Sequence, residues 1–239
     1  MTTALGNLAP ERANHRERLF YLFMALTCAA VAMLGFGGYL VLGFSSFHSP
    51  WWVHVHAVTF VGWLGLYVLQ NFLIVRGATY AHRRMGVFMT GWAGWMVIVG
   101  LTTSMLNTIS HRTPAAITPP ILTAIDTACL GTFAALLGAG LLLRGRSDWH
   151  RRLILCANIA LIAPGVDRIA DLGIPHSPPA MFIHLTLAAG AIVFDLFNRR
   201  TVHPALVIGT AAIATMCLAV GPLASLPALV DFTKTLGGR

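Results

Sequence analysis

The sequence predicts an all-α integral membrane protein, a bundle of seven transmembrane helices. Of the 239 residues, 56% are apolar and only 10% are charged, whereas a soluble domain is about 25% charged. The mean hydropathy is +0.74. The 16 basic and 8 acidic side chains are too few to cover a soluble globule of this size, and the apolar content excludes a disordered chain.

Seven segments are each close to the roughly 20 apolar residues that cross a hydrocarbon core. The first is an anchor rather than a signal peptide, because its run of about 25 residues exceeds the roughly 7–15 of a signal sequence. Trp51 and Trp52 mark the interface where the second span begins, and Pro164 predicts a kink in the fifth. The sixth is short. The predicted spans are 19–43, 52–75, 86–106, 121–143, 153–172, 180–197 and 205–230.

The distribution of basic residues predicts a cytoplasmic N-terminus. With seven spans and the N-terminus inside, 12 of the 16 Lys and Arg residues fall in cytoplasmic segments, as the positive-inside rule requires. We therefore expect a cytoplasmic segment over 1–18, a transmembrane domain over 19–230 and a tail over 231–239. The predicted location is the bacterial inner membrane.

A repeated motif at the predicted cytoplasmic side indicates three helical hairpins, formed by spans 2–3, 4–5 and 6–7. Residues 76–84 read Arg-Gly, four residues, then His-Arg-Arg, and 144–152 repeat that spacing; 199–204 form a looser version. One interpretation is that these residues cap helices and bind lipid phosphate. The alternative is that one histidine from each loop converges on a cofactor or a soluble partner; these are His82, His150 and His203.

The net charge of +8 is explained by the predicted membrane topology. It is concentrated in the predicted cytoplasmic loops, where few aromatic residues separate the basic ones, so the pattern of a nucleic-acid-binding surface is absent. Anionic lipid headgroups are the partners expected for these loops.

The second span carries two histidines on different faces. Residues two apart in a helix point about 200° apart. His56 shares a polar and aromatic face, which we expect to look into the bundle, with Thr59, Trp63, Tyr67 and Gln70. His54 shares a small and apolar face, which we expect to contact lipid or another helix, with Val58, Val61, Gly62 and Gly65.

Ionisable residues inside spans cost about 2.5–3.5 kcal/mol each for Arg, Lys or Asp, and therefore indicate pairing or function. Five are predicted at one depth in the outer half of the bundle: His56, Asp126, Asp167, Arg168 and His184. Asp171 lies in the same predicted span as Asp167 and Arg168, at its outer end. His184 shares its stripe with Ala188, Ala191 and Asp195. Asp195 is four residues before Arg199, which predicts a helical ion pair.

The outer cluster supports three functional hypotheses. The first is a haem b site for electron transfer, with His56 and His184 as iron ligands and Arg168 holding a propionate. The second is a transition-metal site, with a possible hydrolase activity, in which His56, His184 and Asp126 bind the metal and Asp167 acts as general base. The third is a non-catalytic accessory or assembly subunit of a larger membrane complex, since glycine-rich faces suit helix packing.

Other classes are excluded by missing residues. A retinal protein needs a lysine within a span, and the single lysine is Lys234, beyond the last one. A dinucleotide-binding glycine motif is absent. All four cysteines fall within spans, so disulfides have no natural place.

Several motifs together resemble a group of uncharacterised bacterial multi-pass membrane proteins. They are His54-x-His56, Trp63, Gln70, the run His82-Arg83-Arg84-x-Gly86, the run 148–152 (Asp-Trp-His-Arg-Arg) and His203-Pro204. The likeness covers most of spans 2 to 7 and implies no particular activity. The His-Arg-Arg-x-Gly loop is also similar to loops of membrane-embedded b-type cytochromes, which implies haem or redox work.

Overall fold

The computed structural model describes residues 2–113, 117–171 and 180–238, with side chains from residue 15 onward. The described residues form helices and no strand. The helices are α1 Thr2–Val41, α2 Trp51–Val75, α3 Thr79–Ile109, α4 Pro119–Leu142, α5 Ser147–Leu161, α6 Ala163–Asp171, α7 Ala180–Arg199, α8 Pro204–Ala224 and α9 Pro227–Leu236. The predicted all-α class is confirmed.

The helices have the lengths of membrane spans. Six of those described are long and apolar enough to cross a bilayer, and α5 with α6 forms a seventh that is bent by 44°. The bend lies at Ile162, next to the predicted kink at Pro164, because a proline ring cannot continue the regular hydrogen-bond ladder. By length and composition, the chain is therefore a multi-pass membrane protein.

Three helix boundaries differ from the ends of the predicted spans. Helix α3 begins at Thr79 and α5 at Ser147, so the His-Arg-Arg motifs lie on helices rather than in loops. The last predicted span ends at Ala224, and most of the supposed tail belongs to α9, whose start is set by Pro227 at its first position. Hydropathy reports where the bilayer lies, whereas polar residues continue a helix beyond it.

Helix α5 is the centre of the bundle. From residue 152 to 161 every side chain except Ile154 is buried. The other long helices surround it in the order α1, α2, α3, α4, α8, α7, each packed on the next from α1 to α7. Helix α6 continues from α5 and packs mainly on α1 and α7.

The two ends of the bundle differ in charge. One end, which we call the Arg-rich end, is the predicted cytoplasmic side. Arg76 and Arg144 come shortly after α2 and α4, and Arg199 is the last residue of α7. The opposite end is called the far end. There α9 turns back and packs on α3, α4 and α8, and only Thr233 of α9 is buried.

Helices α1 and α6 meet backbone to backbone. A Cβ atom on Gly35 would overlap the carbonyl oxygen of Gly165, and one on Gly165 would lie 2.8 Å from the Cα of Ala32. Glycine lets helices approach closely in a membrane, where dispersion contacts drive association. This contact fixes the position of α6, the shortest segment of the bundle, against α1.

Replacement of Gly35 by Ala is expected to destabilise the protein by about 1–3 kcal/mol, because the backbone of α6 cannot yield as a flexible side chain would. The measurement is thermal unfolding in detergent. The matched control is Gly65→Ala, since nothing lies within 4 Å of a Cβ built there. Equal melting temperatures for the two variants would contradict the tight α1–α6 contact.

Candidate functional site

The inward face of α2 is as predicted. Thr59, Trp63, Tyr67 and Gln70 are buried, and His56 is partly buried while His54 is exposed. On the other face Val58 and Val61 are 70% and 49% exposed, while Gly62 lies against Trp92 of α3. The indole of Trp63 donates a 2.9 Å hydrogen bond to the side-chain oxygen of Asn158 on α5, so this face contacts the central helix.

His56 occupies a confined position in the far half. Its ring stacks on Phe60, with centroids 4.2 Å apart and planes 22° apart. Its Nδ1 atom is buried and has no hydrogen-bond partner among the described residues. Arg168 on α6 is close enough to interact electrostatically with the imidazole. The prediction that His56, rather than His54, points into the bundle is therefore confirmed.

Arg168 is held by the bend and by α1. Its guanidinium donates a 2.6 Å hydrogen bond to the carbonyl of Pro164 and lies over the rings of Phe36 and Tyr39, 4.3 Å and 5.3 Å from their centroids. Asp126 on α4 interacts electrostatically with the same guanidinium. We call the group of His56, Asp126 and Arg168 the far-half site.

Asp167, another predicted member of the cluster, precedes Arg168 on α6. The charge of Asp167 acts on the thiols of Cys129 on α4 and Cys217 on α8, and the charge of Asp126 acts on the same Cys129. The side chain of Asp171 lies outside the described residues.

His184 is buried in α7, and its predicted stripe is confirmed, since Ala188, Ala191 and Asp195 are also buried. The Nδ1–H of His184 donates a 2.9 Å hydrogen bond to the carbonyl of Ala180. The Nε2 atom is buried without a partner among the described residues. Helix α7 packs on α5, α6 and α8, whereas α2 packs on α1 and α3. His56 and His184 therefore belong to helices that are not neighbours.

The four predicted metal ligands are distributed over α2, α4, α6 and α7. Within the described part of the chain, no group of three or more His, Cys, Asp or Glu residues is arranged to hold a metal ion. The set of His56, His184, Asp126 and Asp167 therefore stays a prediction from sequence.

A second polar site lies at the Arg-rich end and was missed by sequence reasoning. Arg152 on α5 is completely buried, and Asp195 on α7 is 1% exposed. The guanidinium binds the carboxylate through two hydrogen bonds, one from Nε to Oδ2 of 3.0 Å and one from a terminal nitrogen to Oδ1. The predicted pair of Asp195 with Arg199 is wrong, because Asp195 faces the central helix and Arg199 lies 4.0 Å from Asp148.

Glu17 extends this site to α1. Its carboxylate lies 2.7 Å from a guanidinium nitrogen of Arg151 and 3.3 Å from one of Arg152. The backbone N–H of His203 donates a 3.1 Å hydrogen bond to Asp195. We call these residues, with Asp148 and Arg199, the ionic network. It connects α1, α5, α7 and the start of α8. The signals for it in the sequence were the repeated His-Arg-Arg motif, which holds Arg151 and Arg152, and the acidic residue Asp195 within a span.

The three motif histidines do not form one cluster. The rings of His82 and His150 are 6.4 Å apart, and the Nδ1–H of His150 donates a 2.8 Å hydrogen bond to the carbonyl of Gly140. His203 instead packs against Trp149, with centroids 5.2 Å apart. Its Nδ1 accepts a hydrogen bond from the backbone of Ala205 and caps α8. The capping interpretation is confirmed for His203.

The fold and these two sites define the class of protein. It is a multi-pass helical membrane protein with buried ionisable groups in the far half and at the Arg-rich end. A comparison of the chain with protein-family models, with curated proteins and with solved structures found no match.

Replacement of Arg152 by Leu is expected to destabilise the protein by about 3–5 kcal/mol, because Asp195 would remain buried without its counter-charge. The double variant with Asp195→Leu removes both charges and should recover part of that loss. The measurement is thermal or denaturant unfolding in detergent for both variants. The pairing would be contradicted if the double variant were clearly less stable than Arg152→Leu alone. Each substitution would then cost stability independently of the other.

The pH dependence of stability should contain a contribution from His203. Burial, and next the charge of Arg152, lower the pKa of the His203 imidazole below its ordinary value of 6.5. The unfolded chain therefore binds more protons, and this contribution is present above about pH 6.5 and lost as the pH falls toward the folded-state pKa. Replacement by Asn, which caps a helix without titrating, should reduce the stability loss between pH 8 and pH 5.5. An unchanged pH profile of melting temperature would refute the assignment.

Proposed function

We propose that the protein binds a redox cofactor, haem b or a transition-metal ion, in the far half of the bundle and takes part in electron transfer in the bacterial inner membrane. The observation that carries the proposal is the buried Nδ1 of His56, which has no hydrogen-bond partner among the described residues. The cytoplasmic placement of the Arg-rich end is part of the same proposal.

An unpartnered imidazole nitrogen inside a membrane needs an explanation. Buried polar atoms are nearly always hydrogen-bonded, so an exception indicates a missing water, ion or ligand. Neutral imidazole is the commonest protein ligand for transition metals and haem iron. Since His56 is also stacked on Phe60, its ring orientation is already set, which lowers the ordering cost of binding.

Arg168 supplies the second half of the proposed site. Its guanidinium interacts electrostatically with His56 and Asp126, so a cation and a nitrogen ligand approach the same space from α6 and α2. A guanidinium recognises carboxylates such as a haem propionate with charge-assisted hydrogen bonds. The rings of Phe36 and Tyr39 beside it offer an apolar wall.

His184 is proposed as a separate ligand position. Its Nδ1–H donates to a backbone carbonyl, which leaves the lone pair on the unpartnered Nε2. Histidines that bind metals typically donate such a hydrogen bond from the ring nitrogen that does not bind the metal. Because α2 and α7 are not packed together, His56 and His184 need independent tests rather than treatment as one axial pair.

An absorption spectrum of the detergent-purified protein, oxidised and then reduced with dithionite, tests the proposal. We expect the band pair of a b-type haem, or stoichiometric transition metal in elemental analysis if the protein is colourless. His56→Ala should abolish the bound cofactor, because its nitrogen has no substitute. Arg168→Gln should weaken binding without abolishing it.

The matched control is His54→Ala, which removes an exposed histidine two residues away and should leave the cofactor content unchanged. If His184→Ala also loses the cofactor, both histidines take part in binding it. If His184→Ala keeps the cofactor, the site is restricted to α2 and α6. A flat spectrum with no metal would overturn the redox proposal and favour the non-catalytic subunit of a larger complex.

A further inference from the structure

A groove between α1 and α7 opens to the membrane at the Arg-rich end. It has a volume of about 520 Å³. Phe20 and Phe23 form its wall on α1, and Phe194 and Phe197 form its wall on α7, while Arg16 and Asn198 lie at its polar end. The volume is within the range of about 300–1,000 Å³ typical of small-molecule sites.

The groove exists because α1 and α7 close the ring of helices without close backbone packing. They meet through the stacked rings of Phe20 and Phe194, whose centroids are 3.8 Å apart and whose planes differ by 5°. Phe23 and Phe197 are 64% and 81% exposed beside that stack. The result is an aromatic groove on the outer surface of the bundle, with its polar end at the Arg-rich end.

No carboxylate of the described residues balances the charge at the polar end. The neighbouring carboxylates are engaged, since Glu17 pairs with Arg151 and Arg152, and Asp195 pairs with Arg152. Arg16 is exposed and makes no hydrogen bond or ion pair with the side chains that the structure describes. A cation in this position attracts an anion from the membrane surface.

We infer that the groove binds one anionic glycerophospholipid of the surrounding bilayer. The phosphate lies at Arg16, the amide of Asn198 donates to a headgroup oxygen, and an acyl chain follows the four phenylalanines. The lining residues cover about two turns of α1, about 10 Å along the axis, and just over one turn of α7, about 6 Å. That length accommodates a section of an acyl chain, whereas a partner transmembrane helix would need a face about 30 Å long. This site is independent of the proposed redox function.

Native mass spectrometry of the detergent-purified full chain tests the inference, with phosphatidylglycerol and phosphatidylcholine of identical acyl chains as probes. We expect one phosphatidylglycerol to be retained in preference to phosphatidylcholine. Arg16→Gln should reduce this preference about fivefold, the effect of one basic residue near an anionic surface. Phe23→Ala should weaken the retention of both lipids, because it removes part of the chain-binding wall.

The matched control is Arg76→Gln, which removes an exposed arginine at the same end but outside the groove. It should keep the preference of the wild type. Equal losses in the Arg16 and Arg76 variants would reduce the effect to general surface charge and overturn the inference. Retention of a polypeptide in place of lipid would overturn it as well, in favour of a partner helix.

Discussion

The buried pair of Arg152 and Asp195 is the interaction on which the rest of the bundle depends. A guanidinium with no exposed surface is tolerated only when its charge is compensated and its donors are used. Asp195 and Glu17 compensate it from two other helices, so the central helix has its full set of partners only when α1 and α7 are in place. The ionic network therefore specifies how three helices meet at the Arg-rich end, beyond what apolar packing in a lipid environment would specify.

The far-half site is a consequence of that arrangement. Once α5 is held at the Arg-rich end, the bend at Ile162 directs α6 toward α1, where Gly35 and Gly165 allow the two backbones to touch. This contact brings Arg168 over the rings of Phe36 and Tyr39 and toward His56. The two polar sites thus share one bent span, α5 with α6, although they lie at opposite ends of the bundle.

Patterns within a single helix were predicted well, and patterns between helices were not. The inward face of α2, the buried stripe of His184 and the kink near Pro164 follow from helical periodicity and from proline chemistry, which are local. The partner of Asp195 could not be predicted in the same way. Its nearest basic residue along the helix, Arg199, satisfies the four-residue spacing, yet the burial of Arg152, 43 residues away, makes that pair the stronger one because no water competes for it.

The sequence by itself determined the class of protein, the number of candidate spans, the inward face of α2 and the stripe of His184 on α7. Apolar content and periodicity suffice for this, since each span must satisfy its backbone hydrogen bonds internally. The tertiary structure decided which helix is central and which helices are neighbours. That order separates His56 from His184, places His203 on Trp149 rather than with His82 and His150, and buries Arg152. The physical reason is that distances between charged groups depend on the order of helices around α5, which is a property of packing rather than of any one segment.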